Sequence, residues 1–184
     1  MIIKPDNEML SYSGRIDFDD RLAPVLVYAC SSIGMKFTGT SLKAVIANHR
    51  SCWTNELGYF IDGEQKRFTL SPDEEKKTYT LAEGLSEGTH ELLLFKRMDS
   101  CHTFTFYGFE IDDGAKVLPL PEKPKRKMEF FGDSVSCGEV SEAVEYVGKP
   151  DPEHDGEYSN SWYSYAWMTA RRLDAEIHDI AQGG

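Results

Sequence analysis

The sequence has no long hydrophobic run, no closely spaced cysteines and no excess of basic residues, and each absence excludes a class of protein. No segment approaches the roughly 20 consecutive apolar residues that a membrane-spanning helix needs. The four cysteines, Cys30, Cys52, Cys101 and Cys137, lack the paired spacing of a disulfide framework. A net charge of −11 argues against nucleic acid or an anionic membrane as a partner, because both attract basic surfaces.

The N-terminus, MIIKPDNEML, also lacks an apolar core long enough for a signal peptide. We therefore expect a cytoplasmic protein with reduced thiols, unless a signal has been trimmed from the chain. With 40% hydrophobic and 28% charged residues, the composition is that of an ordinary soluble globular protein. A length of 184 residues allows one large domain or two small ones.

Residues 16–111 predict a succession of short strands and no helix longer than one turn. The predicted strands cover residues 24–28, 33–38, 42–47, 59–61, 68–70, 78–81, 91–96 and 103–111. Asp62-Gly63 directly after a strand predicts a hairpin, because glycine tolerates the positive φ of a type I′ turn. The regular spacing of these strands predicts a jelly-roll-like β-sandwich over residues 1–117.

The pattern changes after residues 118–127 (LPLPEKPKRK), a proline-rich stretch that predicts a semi-rigid linker. In residues 128–184 we predict a buried strand at 128–131, a helix at 159–173 and a second strand at 175–181. Ser159 or Ser161 can cap the helix. Its predicted inward face comprises Trp162, Tyr165, Ala166, Thr169 and Leu173. Strand, helix and strand in this order predict a parallel pair joined by a right-handed crossover.

Such a unit is too small to be a complete α/β domain. Parallel sheets are normally covered on both faces, and one helix leaves most of a two-stranded sheet exposed. We therefore expect either that the chain is a fragment of a longer protein or that the missing strands come from elsewhere.

Ser134, in the run MEFFGDSVSCG of residues 128–138, is the strongest candidate for chemistry. Many α/β folds present a nucleophile just past the carboxyl end of a strand. Gly132 would permit the sharp turn, and the Ser134 N–H would face the oxygen of an incoming carbonyl. Asp133 is expected to support the turn. The alternative is that Ser134 is a turn serine that caps the next element.

With Gly-Asp-Ser after a strand, a Trp/Tyr-rich helix and a glycine pair after the next strand, residues 128–184 resemble the SGNH (GDSL-type) hydrolases. The stretches YSGRIDF at 12–18 and FTGTSL at 37–42 resemble the N-terminal jelly roll of carbohydrate esterase family 2. In that family a jelly roll precedes an SGNH catalytic domain of three αβα layers, and members remove acetyl groups from plant polysaccharides and sugars. The resemblance covers nearly the whole chain, but only the beginning of the catalytic domain.

The resemblance implies a serine acetyl esterase that needs no metal or organic cofactor. Ser134 matches the nucleophile, and its own N–H forms part of the oxyanion hole. Gly184 best matches the glycine donor of that hole, with Gly183 a close second because AQGG departs from the commoner Ser-Gly form. The family's asparagine donor and its Asp/His pair have no counterpart in the sequence.

The implied substrate is an acetylated carbohydrate, and the acidic run of residues 138–157 is expected to be a solvated loop that rims the cleft. Glu139 and Tyr158 are the predicted sugar-binding residues. Trp53, in a polar loop of the sandwich, is a better candidate for a sugar contact than the aromatic residues of the predicted helix. Of the local histidines, nothing fixes His154 at the cleft, and His178 is expected to be packed and hydrogen-bonded within its strand.

Three other interpretations stay open. The chain could be a carbohydrate-binding or interaction module that carries an inactive hydrolase remnant. It could also be an esterase or lipase with a broader acyl preference. Finally, His49, Cys52, Cys101 and His102 could in principle form a tetrahedral zinc site, although their spacing matches no common zinc finger.

Overall fold

Most of the protein consists of two antiparallel sheets of six strands each. The structure is a computed structural model that describes residues 1–183. The strands are β1 (Ile2–Ile3), β2 (Ser11–Ser13), β3 (Ile16–Asp17), β4 (Val25–Leu26), β5 (Ser32–Thr38), β6 (Leu42–Arg50), β7 (Glu56–Ile61), β8 (Glu64–Thr69), β9 (Lys77–Ala82), β10 (Thr89–Lys96), β11 (His102–Ile111) and β12 (Val117–Leu118). One sheet has the order β3-β4-β11-β6-β9, and β1 also pairs with β11. The other has the order β12-β5-β10-β7-β8, and β2 also pairs with β5.

The two sheets enclose one apolar core. Its fully buried residues come from both sheets and include Ile33, Phe37, Leu42, Ile46, Leu94, Phe104 and Phe106. The alternation of apolar and polar residues along the long strands supplies this face, because successive side chains point to opposite sides of a sheet. The predicted β-sandwich is therefore confirmed, and no helix occurs before residue 134.

Each of the eight predicted strand segments contains a strand, but their lengths differ from the prediction. Residues 24–28 form only the two-residue strand β4, and β6 extends to Arg50. The strands β1, β2, β3 and β12 were not predicted, because two or three residues are too few to show alternation. The hairpin between β7 and β8 is confirmed, since Asp62 and Gly63 have φ of 52° and 84°, as a type I′ turn requires.

The second part of the chain forms the predicted parallel pair. The strands β13 (Arg126–Gly132) and β14 (Ala175–Ala181) run in register from Arg126 opposite Ala175. Between them lie the helices α1 (Ser134–Cys137) and α2 (Tyr165–Arg172), with short 3₁₀ turns at Val144–Tyr146 and Ser161–Tyr163. None of the helices in residues 1–183 is long and apolar enough to cross a membrane.

The predicted helix over 159–173 is wrong in its start and in its buried face. The chain first makes the 3₁₀ turn, and α2 then begins with Ser164 as N-cap, whose side chain accepts the Trp167 N–H at 3.1 Å. The later start rotates the buried face onto Ala166, Trp167 and Ala170. Tyr165 is consequently 50% exposed, although the sequence placed it on the inward face.

Strand β13 is not buried as predicted. Phe131 is 70% exposed, and only Met128 and Phe130 are partly covered. The physical reason is that β13 has a single neighbouring strand among the described residues, so one edge and much of its surface face solvent.

The two parts of the chain share a second apolar core. Phe95 of β10 packs edge-on against Trp167 of α2 at 5.4 Å between ring centroids, and Ala29, Cys30, Cys137, Ile177 and Ala181 surround them. Leu118 pairs with β5, and β13 begins at Arg126, so the unpaired connector covers residues 119–125. The division into domains at 118–127 stays a prediction.

Candidate functional site

Ser134 is the first residue of α1 and follows β13 after one intervening residue. That residue, Asp133, is the N-cap, and its carboxylate accepts the Val135 N–H at 3.1 Å, so it supports the turn. Neither the N–H nor the Oγ of Ser134 has a hydrogen-bond partner within residues 1–183. Ser134 is half-buried, and within the described residues its hydroxyl and its backbone N–H are both available to a ligand.

Gly132 is needed for close packing and not for an unusual turn conformation. Its φ lies outside the positive range, contrary to the expectation of a glycine-dependent turn. A Cβ at this position would lie 2.0 Å from Ser136 Oγ, which is itself hydrogen-bonded to the Tyr165 hydroxyl at 2.8 Å. Only glycine lets the first turn of α1 approach the end of β13 this closely.

Gly183 lies beside Ser134 at the end of β14. A Cβ placed on Gly183 would be 3.5 Å from Ser134 Cβ, so the two predicted site residues are adjacent. The Gly183 N–H donates to Asp99 Oδ2 at 2.8 Å. Gly184, the other predicted oxyanion donor, lies outside the described residues.

Asp99 brings the sandwich into the site, and sequence reasoning missed it. It follows β10, accepts the Cys101 N–H at 3.1 Å in addition to the Gly183 N–H, and lies 3.3 Å from His102 Nδ1. Burial raises the pKa of Asp99, but the hydrogen bonds from His102 and Gly183 outweigh burial and bring the pKa to about 2. No local pattern marks this residue, because its partner Gly183 is 84 positions away in the sequence.

The predicted sugar-binding residues border the same site. Glu139 Oε2 would lie 2.9 Å from a Cβ on Gly183, and burial, together with the charge of Asp99, raises the pKa of Glu139. Glu139 and Trp53 line one small cavity with Asp99. The Trp53 ring is 41% exposed.

An aromatic row leads from this cavity to Tyr158. The His154 ring centroid lies 5.0 Å from that of Trp53 and 6.1 Å from that of Tyr158. Trp53 and Tyr158 are 105 residues apart in the sequence. The His154 ring therefore lies between two predicted sugar contacts, one from the sandwich and one from the second part of the chain. By contrast, Trp167 belongs to the core that the two parts of the chain share.

No histidine in residues 1–183 is hydrogen-bonded to Ser134 Oγ. His154 Nδ1 accepts the Gly156 N–H at 3.1 Å, and His102 is held between Asp99 and the Cys52 carbonyl. His178 is half-buried in β14 without a side-chain hydrogen bond in the described part, so the expectation of a hydrogen-bonded histidine was wrong.

The proposed zinc cluster does not form. His49 Nε2 bonds to Thr105 Oγ1 at 3.0 Å, whereas Cys52 Sγ lies 3.9 Å from His102 Nε2. Across residues 1–183, no group of three His, Cys, Asp or Glu side chains is arranged to hold a metal ion.

The acidic segment 138–157 is anchored and is not simply a solvated loop. Arg97, which is 2% exposed, donates from Nη2 to Glu142 Oε2 at 2.7 Å and from Nε to the Ser159 carbonyl at 2.9 Å. Thr54 Oγ1 donates to Asp155 Oδ2 at 2.9 Å. The sandwich therefore holds the segment that carries Glu139 and that ends directly before Tyr158.

Comparison with known proteins places this geometry in a family. The family model described as "Carbohydrate esterase 2 N-terminal" matches residues 12–121. The chain is 33% identical over 180 residues to the "Cellulase/esterase CelE" of Acetivibrio thermocellus, covering 97% of this chain and 21% of that protein. It is 27% identical over 161 residues to an "Acetylxylan esterase / glucomannan deacetylase" of Cellvibrio japonicus, covering 84% of this chain and 43% of that protein.

A solved structure agrees with these relatives. The family two carbohydrate esterase from Clostridium thermocellum, solved in complex with cellohexaose, superposes with a TM-score of 0.83 at 31% identity. The match covers 95% of this chain and 51% of that one, so the chain spans about half the length of the solved relative. With the sandwich, the strand–Ser134–helix turn and these matches together, the chain belongs to carbohydrate esterase family 2.

Proposed function

We propose that Ser134 is the nucleophile of a carbohydrate acetyl esterase. The observation that carries this proposal is the position of Ser134 directly after a parallel strand, with its hydroxyl and N–H both free of partners in residues 1–183 and Gly183 beside it. Membership of carbohydrate esterase family 2 supports the reaction class, since two of its relatives are named as esterases.

The reaction is a two-step acyl transfer. Ser134 Oγ attacks the acetyl carbonyl carbon while a histidine removes the hydroxyl proton, and the sugar oxygen leaves as that histidine returns the proton. Water, activated by the same histidine, then attacks the acyl-enzyme and releases acetate. The general base lies outside residues 1–183 in this proposal, and the greater length of the relatives leaves room for it.

Backbone donors stabilise the oxyanion of each tetrahedral intermediate. The free Ser134 N–H is the first donor. The Gly183 N–H is engaged by Asp99, which supports Gly184 as the glycine donor. Loss of one such donor typically costs about 3–4 kcal/mol of transition-state stabilisation.

The substrate is an acetylated poly- or oligosaccharide. Trp53 offers an exposed aromatic surface, which can pack against the apolar C–H face of a sugar ring. The half-buried Glu139, in the same cavity as Trp53, supplies carboxylate acceptors for sugar hydroxyl groups, and Tyr158, on the other side of His154, supplies a hydroxyl. Glu139 lies next to Gly183, which is itself adjacent to Ser134, and Glu139 shares a small cavity with Trp53, so a sugar bound there would have its acetyl group close to the nucleophile.

The test is acetate release from acetylated xylan and glucomannan by the native protein that carries this chain. Ser134→Ala should lower the rate by about a thousandfold or more, because the covalent step is lost. Ser86→Ala, at an exposed serine of the sandwich, is the matched control and should leave the rate unchanged. Acetate release that survives Ser134→Ala would overturn the proposal.

The exposed Trp53 favours a second candidate, a carbohydrate-binding module without catalysis. This alternative predicts saturable glycan binding that persists in Ser134→Ala, falls in Trp53→Ala and is accompanied by no acetate release. A broader esterase is distinguished by its rates on longer acyl chains. The reading frame around this segment and the intact mass of the native protein show whether a signal peptide precedes it, which tests the predicted cytoplasmic location. They also show whether the expected additional residues are present.

A further inference from the structure

We infer that Asp99 is a positioning residue through which the sandwich fixes the glycine segment beside Ser134. The inference rests on the proposed function, because it assigns a role in the acetyl transfer to a residue outside the hydrolase part. Asp99 contacts Gly183 and not Ser134, so it acts through the backbone that it holds.

The turn between β10 and β11 makes three contacts with the end of β14. Asp99 Oδ2 accepts the Gly183 N–H at 2.8 Å. Ser100 Oγ donates to Gln182 Oε1 at 2.9 Å, and Gln182 Nε2 donates to Cys101 Sγ at 3.6 Å. Three consecutive residues of the sandwich therefore hold the two residues that run past the nucleophile.

A buried lysine side chain holds the backbone of this turn. Lys96 is fully buried, and its Nζ donates to the carbonyl oxygens of Met98 and Asp99. Burial lowers the pKa of Lys96 to about 7, yet the amine donates in either protonation state. With its backbone carbonyls held inward, the turn presents the Asp99 carboxylate and the Ser100 hydroxyl toward β14.

A hydrogen bond to an ionised carboxylate is the strongest type of constraint that one side chain can place on an amide. The bond from the Gly183 N–H sets the orientation of the preceding peptide group and thus the path of the chain beside Ser134. Oxyanion donors need correct placement to within a fraction of an ångström, so loss of this bond should slow the chemical step more than it weakens substrate binding.

The test compares Asp99→Ala and Asp99→Asn with Glu83→Gln, an exposed carboxylate of the sandwich, all in the native protein. In Asp99→Ala, amide hydrogen exchange at Gly183 should accelerate on the order of tenfold, since a charge-assisted bond is lost. The value of kcat for acetate release should fall by about tenfold with KM changed by less than about twofold. Asp99→Asn retains one carbonyl acceptor and should give smaller changes in the same direction.

Amide exchange at Gly183 and kcat together distinguish a failure of this inference from a failure of the proposed function. Unchanged Gly183 exchange and unchanged kcat in both folded Asp99 variants would overturn the inference and leave the Ser134 proposal intact. If Asp99→Ala does not fold, Asp99→Asn decides by the same criteria. A rate that persists in Ser134→Ala would overturn the proposed function, whereas Gly183 exchange would still decide whether Asp99 fixes the glycine segment.

Discussion

The sandwich and the parallel unit that follows it differ in how completely they bury their own apolar residues. Most of the largest fully buried side chains of the chain, including Phe37, Phe104 and Phe109, belong to the core between the two sandwich sheets. In residues 128–183, by contrast, Phe131 and Val135 are 70% and 66% exposed. The parallel unit buries its remaining apolar residues in a core that it shares with the sandwich.

This difference shows which part of the chain holds the residues of the candidate site in place. Asp99 and Arg97, which belong to the sandwich part of the chain, hold Gly183 and Glu142 by hydrogen bonds. Phe131 of β13 and Val135 of α1, by contrast, are exposed. The segment that carries Ser134 is thus held by the sandwich near Gly183 and leaves Phe131 and Val135 exposed to solvent.

The largest expected effect is on the free energy of unfolding, and it compares a buried phenylalanine of the sandwich core with an exposed phenylalanine of β13. Phe104→Ala should lower the free energy of unfolding by about 3–5 kcal/mol, because it opens a cavity in the sandwich core. Phe131→Ala, the matched change on β13, should alter it by less than about 0.5 kcal/mol. Urea unfolding measures both. Equal losses in the two variants would show that the parallel unit is as well packed as the sandwich.

The next effect concerns the interface between the two parts. Arg97→Ala leaves Glu142 without its partner and removes the donor to the Ser159 carbonyl, so we expect a loss of about 3 kcal/mol. Arg97→Lys keeps the charge but not the guanidinium geometry and should lose less. Tryptophan fluorescence should report an earlier transition than far-UV circular dichroism in Arg97→Ala, because Trp162 and Trp167 lie in the parallel unit. Coincident transitions with unchanged stability would contradict this account.

The sequence was informative wherever the responsible interactions are local. Short apolar and aromatic runs identified the long strands, and Asp62-Gly63 identified a hairpin, since both signals depend on neighbouring residues. The start of α2 was misjudged because Ser159, Ser161 and Ser164 are all competent caps. Asp99 and Arg97 were missed for a different reason: a contact between residues 45 to 84 positions apart leaves no mark on local composition.

A smaller effect comes from Asp179, a buried carboxyl of the parallel unit. Its Oδ2 lies 3.4 Å from Cys30 Sγ, and its Oδ1 has no hydrogen-bond partner in the described part of the chain. Burial raises its pKa from 3.8 to about 6. The folded state therefore binds this proton more tightly than the unfolded state, and stability should decline as pH rises from about 4 to above 6, by on the order of 2 kcal/mol.

Asp179→Asn should remove this decline and make the protein more stable than the parent at neutral pH. The matched control is Asp174→Asn, at an exposed aspartate just before β14, which should keep the parental pH dependence. Urea unfolding across this pH range provides the comparison. A decline of the same size in Asp179→Asn would assign the pH dependence to another group.

The smallest effect lies in the sandwich and has a different pH window. His90 is buried, and its Nδ1 lies 2.6 Å from Asp62 Oδ2 in the β7–β8 hairpin, which raises the pKa of His90 above 6.5. The stability from this pair is therefore fully present below pH 6.5 and is lost as pH rises through the raised pKa. Asp62→Asn keeps the positive φ at the turn but removes the charge, so it should cost less than about 1 kcal/mol at about pH 6 and still less at about pH 9. Because Asp179 is present in both the parent and Asp62→Asn, the difference between the two proteins at each pH value isolates the contribution of the His90 pair. An Asp62→Asn cost that does not change with pH would show that the hairpin depends on the turn conformation and not on the ion pair.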